Sequence, residues 1–285
     1  MHRVGIVCDS TCDLGPEYLR DHDVRMVPLK VLIDGESYLD WIELSTGEFY
    51  RRLAEARELP TTSQPSPADF GETYAALANE GCEEIVSIHL SSPLSGTYQS
   101  AIIASEDASV PVRVVDTKLV TLATGLVVKR AVEARGDGGS AEAVEAVAID
   151  ASSATRLFFV LDTLEYLVKG GRAGKATALA ASVLSIKPIL TFDDEGTIVP
   201  FKRAKGTAKA YAALAEHIAE AGRETPLRVA LFHGVNPEGL RALQDALDAA
   251  GADYRLDMVG EIGAVIGTYA GPGAVGVAYV PDTTG

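Results

Sequence analysis

The stretch Glu84-Ile85-Val86-Ser87-Ile88-His89-Leu90-Ser91-Ser92-Pro93-Leu94-Ser95-Gly96-Thr97-Tyr98-Gln99-Ser100-Ala101 reads as a buried strand that breaks into a hydroxyl-rich turn and opens a helix near Ser95. Its β-branched run sets the strand and Pro93 sets the turn. A strand-to-helix junction leaves the first backbone N–H groups of the helix without intrahelical partners and sets hydroxyls beside them. That combination is a seat for a carboxylate or a phosphate. After Glu84 the stretch carries no acidic side chain and no lysine or arginine, so its donors are neutral.

On either side of this junction, short apolar runs alternate with helical patterns. Strands are expected over Arg3–Cys8, Arg25–Ile33, Glu84–Leu90 and Val112–Val115, then over Leu157–Leu161, Ile186–Phe192, Thr197–Lys202, Leu227–His233, Tyr254–Val259 and Val275–Val280. Apolar residues at three- and four-residue spacing mark helices over Leu122–Arg135, Ala141–Ser153, Lys205–Ala221 and Pro237–Ala250. Alternating β and α elements imply an α/β class with largely parallel sheets flanked by helices. Two domains are expected, 1–155 and 156–285, with a ligand cleft between them. The flexible run Gly136-Asp137-Gly138-Gly139-Ser140 is read as a joint between two helices rather than between domains.

Composition narrows the function. The chain has 285 residues, 47% of them apolar, and a formal net charge of −15. A charge of that sign argues against nucleic acid and anionic membrane surfaces as partners. Three cysteines, Cys8, Cys12 and Cys82, show no metal-ligand spacing and suit a reducing compartment. The N-terminus runs straight into a strand pattern with no secretory signal, and no apolar run approaches the roughly 18 residues needed to cross a bilayer. A cytoplasmic protein with no integral membrane segment is expected.

A second cluster of neutral donors lies in Thr61-Thr62-Ser63-Gln64-Pro65-Ser66-Pro67-Ala68-Asp69. Ser66, Pro67 and Asp69 form a helix start, with cap, N1 proline and N3 acid. Thr62, Ser63 and Gln64 are not needed for that cap. Asp9-Ser10-Thr11 is expected to cap a helix over Leu14–Arg20, and Asp116-Thr117 follows the Val112–Val115 strand in the same way. At strand ends of a parallel sheet such residues support a ligand crevice by holding its loops. Gly170 and Gly171 read as a helix C-cap, with Arg172 just beyond free to face solvent or an anion. The run from Gly263 to Gly276 holds many glycines around Tyr269, which indicates a backbone passing very close to its surroundings. Its spacing is not that of a dinucleotide fingerprint, and no helix is expected to open from it.

Histidines are few. His2 is terminal, His22 and His217 read as surface residues of helices, and His89 reads as a satisfied core residue. His233, at a strand end, is the one plausible catalytic base. A serine esterase would need Ser95, His233 and an acid such as Asp116 to converge, but Ser95 lacks the flanking glycines of a nucleophile elbow. No metal site is expected.

Several stretches jointly resemble the DegV family: Cys8-Asp9-Ser10-Thr11-Cys12-Asp13-Leu14, Thr62-Ser63-Gln64-Pro65-Ser66, Leu90 through Ala101, Leu164 through Arg172, and Ser185-Ile186-Lys187-Pro188-Ile189-Leu190, together with the glycine-rich run near the C-terminus. They occur in the family's order along essentially the whole chain. The resemblance implies two α/β domains with a long-chain fatty acid, of the hexadecanoate class, buried between them. It implies a non-catalytic, lipid-carrying subunit of a fatty acid kinase system, needing no cofactor. Such a subunit presents the acyl carboxylate to a separate ATP-binding kinase subunit of the dihydroxyacetone-kinase type. It also implies that the carboxylate is held by Thr62 or Ser63 and by Ser95, with N–H groups near Gly96 and Thr97, that Arg172 lies near the head group, and that Lys202, Arg203 and Lys205 face the kinase. The family commonly carries a histidine where this chain has Tyr269; a phenol still donates to a carboxylate, but it is not a proton-accepting imidazole near neutral pH.

Overall fold

A computed structural model describes residues 3–179 and 186–282. His2 and Ser185 lie outside the described residues. The first half comprises β1 (Val4–Asp9), α1 (Gly15–Asp21), β2 (Val24–Val27), β3 (Lys30–Ile33), β4 (Glu36–Leu39), α2 (Thr46–Glu55), β5 (Thr61–Ser63), α3 (Pro67–Asn79), β6 (Glu84–His89), α4 (Thr97–Glu106), β7 (Val112–Asp116), α5 (Thr121–Gly136) and α6 (Ala141–Ala154). Then come β8 (Arg156–Val160), α7 (Glu165–Lys169), β9 (Ile186–Phe192), β10 (Ile198–Lys205), α8 (Thr207–Ala221), β11 (Leu227–His233), α9 (Pro237–Ala249), β12 (Tyr254–Glu261), α10 (Ala264–Ala270) and β13 (Val275–Pro281).

The first sheet is parallel throughout, in the order β2-β1-β6-β7. Its central strand β1 is buried at every position, as a strand covered on both faces must be. The strand expected over Arg25–Ile33 is two strands. Pro28 has no N–H to give a ladder, and the chain leaves the parallel sheet there. β2 stays with β1, while β3 pairs antiparallel with β4 and β5 in a small separate sheet. The β3–β4 hairpin turns on Asp34-Gly35, both at positive φ, the turn that suits strand twist.

The six-stranded sheet of the second half, β10-β9-β8-β13-β11-β12, is mixed rather than largely parallel. Only β11 and β12 run parallel; the other four pairings are antiparallel. A short turn joins β9 to β10, too short for the crossover that parallel neighbours require. The last strand, β13, inserts between β8 and β11.

α5 is the element common to both halves. Nine of its sixteen residues are buried, and its side chains share one core with β1 and β6 on one side and β11 and β13 on the other. Gly136 ends it, and Ser140 caps α6, so the glycine-rich run does join two helices. Arg228 on β11, only 2% exposed, donates to both carboxylate oxygens of Glu133 on α5 at 2.7 and 2.6 Å and to Asp257 on β12 at 3.1 and 3.2 Å. The helix is thereby fastened to the second sheet.

Two carboxyls lie buried at the seam where α10 begins. Asp13 accepts from the Thr121 hydroxyl at 2.7 Å, and a side chain at Gly263 would run into Asp13 and the Trp41 indole. Asp40 is 1% exposed beside them. Burial pushes the Asp40 carboxyl up to about 7 and Asp13 well above the usual carboxylate range.

Two outcomes are expected from this arrangement. Arg228→Met removes the buried cation between Glu133 and Asp257 and lowers stability by on the order of 3 kcal/mol. A urea midpoint equal to that of the native chain would show that the interlock adds nothing. Because its folded pKa is raised, Asp40 supports folding fully below its unfolded value of about 4, and that support is lost as pH rises through about 7. Asp40→Asn should therefore flatten the fall in urea midpoint between those pH values; parallel pH profiles for the two proteins would contradict the assignment.

Candidate functional site

The site is built on the C-terminal ends of β1 and β6. Asp9 ends β1 and is fully buried. One of its oxygens accepts from the Thr11 N–H at 3.0 Å and the Thr11 hydroxyl at 2.6 Å; the other accepts from His89 Nδ1 at 3.1 Å and the Leu90 N–H at 3.0 Å. Asp9 thus caps a single 3-10 turn, Ser10–Cys12, and not the following helix, which begins at Gly15 with no side-chain cap. The Tyr74 hydroxyl donates to Ser87 at 2.9 Å, and Ser87 lies 2.7 Å from His89 Nε2. A donor sequence Tyr74 to Ser87 to His89 to Asp9 satisfies every member and assigns the His89 proton to Nδ1. His89 is a satisfied core histidine, as its strand position suggested.

From these anchored ends the two hydroxyl loops approach each other. Asp116 accepts from the Ser92 N–H and hydroxyl and from the Lys118 N–H, so it holds the turn after β6. The Gln64 amide donates to the Ser100 hydroxyl at 3.1 Å. A side chain at Gly96 would lie 2.6 Å from Gln64 Nε2, so glycine leaves room for the Gln64 amide at the start of α4. Ser95 Oγ lies 2.9 Å from the Thr97 hydroxyl and 3.4 Å from the Thr97 N–H. The Ser66–Asp69 capping box forms as expected and fixes the other end of the Gln64 loop.

The glycine-rich run contains a short helix, α10, where none was expected. Gly263 starts it, and Gly267 makes it possible, because a side chain there would sit 2.7 Å from the Phe49 ring and 2.8 Å from the Tyr50 hydroxyl. The close approach inferred from the glycines is real, and it is made by the helix. Near its end Tyr269 reaches back 207 positions to Thr62, hydroxyl to hydroxyl at 2.6 Å. The Arg172 guanidinium stacks over the Tyr269 ring at 5.0 Å. Arg172 is held by bonds from Nε to the Leu94 carbonyl at 3.2 Å and from Nη1 to the Gly170 carbonyl at 2.9 Å.

These groups surround one end of a cavity of about 300 Å³ between the first sheet and the six-stranded sheet. Thr62, Ser63, Ser95, Arg172 and Tyr269 all line it, with Gln64 beside them. Gly96 and Thr97 do not: the first makes room for Gln64, and the second is buried behind Ser95. Of the 23 lining residues, 16 are apolar, and Arg172 is the one charged residue among the described residues of the wall. Ser63 and Gln64 are exposed, so the polar end meets solvent. Leu157 and Phe159, alternate residues of β8, and Leu161 just beyond it carry the wall away from that end.

Some of these residues were not recognised in the sequence. Thr121 lines the cavity at positive φ while its hydroxyl holds Asp13. A β-branched residue at that φ leaves no one-dimensional signature. The period-two spacing of Leu157, Phe159 and Leu161 marks a shared face, but not that the face borders a void.

An esterase triad is not assembled. Ser95 bonds to Thr97, Asp116 to Ser92 and Lys118, and His233 Nδ1 accepts from the Asn236 N–H at 3.2 Å; His233 is not part of the cavity wall. His217, read as a surface residue, packs against the rings of Phe158 and Phe201.

Comparison with known proteins agrees with this architecture. A family model described as "Uncharacterised protein, DegV family" matches residues 3–282. A DegV domain-containing protein of Deinococcus radiodurans is 41% identical over 281 residues, 98% of each chain. Among solved structures, a fatty-acid-binding DegV family protein from Thermus thermophilus superposes with a TM-score of 0.89 at 36% identity, covering 98% of this chain and 99% of its own. A stearic-acid-binding protein from Eubacterium ventriosum gives 0.86 at 27% identity, with 98% of both chains covered. With its fold, its loop motifs and nearly its whole length matched, this chain belongs to the DegV family.

Proposed function

We propose that this protein binds a long-chain fatty acid between an N-terminal unit, 1–155, and a C-terminal unit, 156–285, and presents its carboxylate to a separate ATP-binding kinase subunit for acyl phosphate formation. One observation carries the reading: an apolar cavity whose polar side chains, Thr121 apart, gather at a single end around one arginine. A molecule matched to that wall has a long apolar body and one anionic terminus. Fatty-acid binding by the Thermus thermophilus and Eubacterium ventriosum relatives supports the same ligand class.

The energetics suit a carrier. A tail of about fifteen methylenes gains on the order of 12 kcal/mol on leaving water, at about 0.8 kcal/mol each. The head is the costly part, since an unpaired buried carboxylate loses several kcal/mol of hydration. Hydroxyls of Thr62, Ser63, Ser95 and Tyr269 and the guanidinium of Arg172 offset that loss through charge-assisted bonds. Thr62 and Tyr269 already bond to each other, so each is oriented before a ligand arrives. In this reading none of these groups acts as acid, base or nucleophile. The exposed position of Ser63 and Gln64 keeps the carboxylate within reach of a phosphate donor held by another protein. Three cysteines outside any disulfide suit a cytoplasmic site of action.

Native mass spectrometry of the purified protein should show a co-purified fatty acid, and the delipidated protein should take one up. A delipidated chain that stays folded and binds no fatty acid would remove the reading. Ser95→Ala should weaken binding by roughly 1–3 kcal/mol, the loss of one charge-assisted bond, measured by displacement of a fluorescent fatty acid. An unchanged affinity would take Ser95 out of the head-group site.

A further inference from the structure

The far end of the cavity has a thin wall with a second chamber behind it. Leu157 and Phe192 line the fatty-acid cavity, and the same two side chains line a separate space of about 330 Å³. They are the only residues shared by the two linings among the described residues. Their distance from the polar end follows from the strand. Leu161 lies where the chain leaves β8 for α7 and Arg172, while Leu157 lies four residues back, ~13 Å along an extended strand. Phe192 ends β9, the strand beside β8. Its ring stands 6.2 Å from that of Phe159, which lines the same cavity.

The second chamber differs in character. It is bordered by the exposed side chains of Lys118, Arg156 and Asp194, so it is open to water. Its polar groups are already matched internally. Lys118 Nζ donates to the Asp194 carbonyl at 2.8 Å, Arg156 to the Ser153 carbonyl at 2.7 Å, and the Thr155 hydroxyl to the Ala151 carbonyl at 2.7 Å. The chamber's wall mixes these polar groups with the apolar side chains of Leu119 and Ile149, and Leu157 and Phe192 lie between it and the apolar tunnel.

We propose that Leu157 and Phe192 form the stop against which the end of the acyl chain rests, so that Phe192 decides which chain length this protein accepts. The inference rests on the fatty-acid reading of the cavity. A chain that fills the tunnel gains about fourfold in affinity per buried methylene until its terminal methyl meets the stop. Beyond that point an added carbon finds no apolar space. A terminal hydroxyl pressed against the stop is buried without a partner and is rejected.

The test uses the delipidated full-length chain and displacement of a fluorescent fatty acid by an even-numbered saturated series from tetradecanoic to docosanoic acid, together with ω-hydroxyhexadecanoic acid. In Phe192→Ala the preferred length should move up by about two carbons or more, each added methylene contributing about fourfold. The native chain's preference for hexadecanoic over ω-hydroxyhexadecanoic acid, roughly tenfold or more, should shrink as the hydroxyl reaches the wet cleft. Phe192→Trp should move the preferred length down. General loosening of the fold lowers all affinities together and moves neither the length preference nor the hydroxyl ratio. Binding of hexadecanoic acid by all three proteins with one unchanged length profile overturns the stop alone. If the native chain binds no member of the series, the fatty-acid reading fails and the stop falls with it.

Discussion

The buried carboxylate of Asp9 is the constraint on which the site depends. It accepts four hydrogen bonds, two from Thr11 and two from His89 and Leu90, and thereby fixes the ends of β1 and β6 against each other. A carboxylate without those donors in this position would cost several kcal/mol of lost hydration. The strand ends cannot move apart without exposing it to that cost. The Ser92–Ser95 loop leaves from the end of β6, so its starting point is rigid before any ligand arrives. Tyr74, Ser87 and His89 extend the same network into the core, where each polar group has a partner.

The second constraint is shared packing around α5. A helix buried on most of its surface has to be covered from more than one direction, and here the parallel sheet and the six-stranded sheet supply the cover. Arg228 fixes its position by hydrogen bonds to Glu133 and Asp257. With α5 filling part of the space between the sheets, the remainder is the cavity. Val120 and Thr121, at the N-terminal end of α5, are part of its wall. The void is thus a consequence of how two sheets share one helix.

The polar end combines groups of unequal predictability. Hydroxyls at Thr62, Ser63 and Ser95 stand out in the sequence because local structure does not require them. The Asp34-Gly35 hairpin went unread, because the apolar continuity across Pro28 suggested a single strand and concealed the small sheet that carries Thr62. Tyr269 was marked by its glycines, but the helix presenting it was not. α10 has only seven residues, and Gly267 is a poor helix former that is present for its contact with α2. Resemblance to a known family supplied the link between Arg172 and a head group; as a lone cation after a helix cap it had no assigned partner.

What this sequence determined by itself was local: the buried strand β1, the Ser66–Asp69 capping box, the helices around Gly136–Ser140, and two loops richer in hydroxyls than their turns require. These follow from periodicity, capping and turn chemistry, which act over a few residues. Only the tertiary structure decided that β13 enters antiparallel between β8 and β11, that Thr62 meets Tyr269 across 207 positions, and that Leu157 and Phe192 line both the apolar cavity and a second cleft beside it. The physical reason is that an apolar pattern specifies which face of an element leaves water. It does not specify which distant face it meets, or how much space the meeting leaves unfilled.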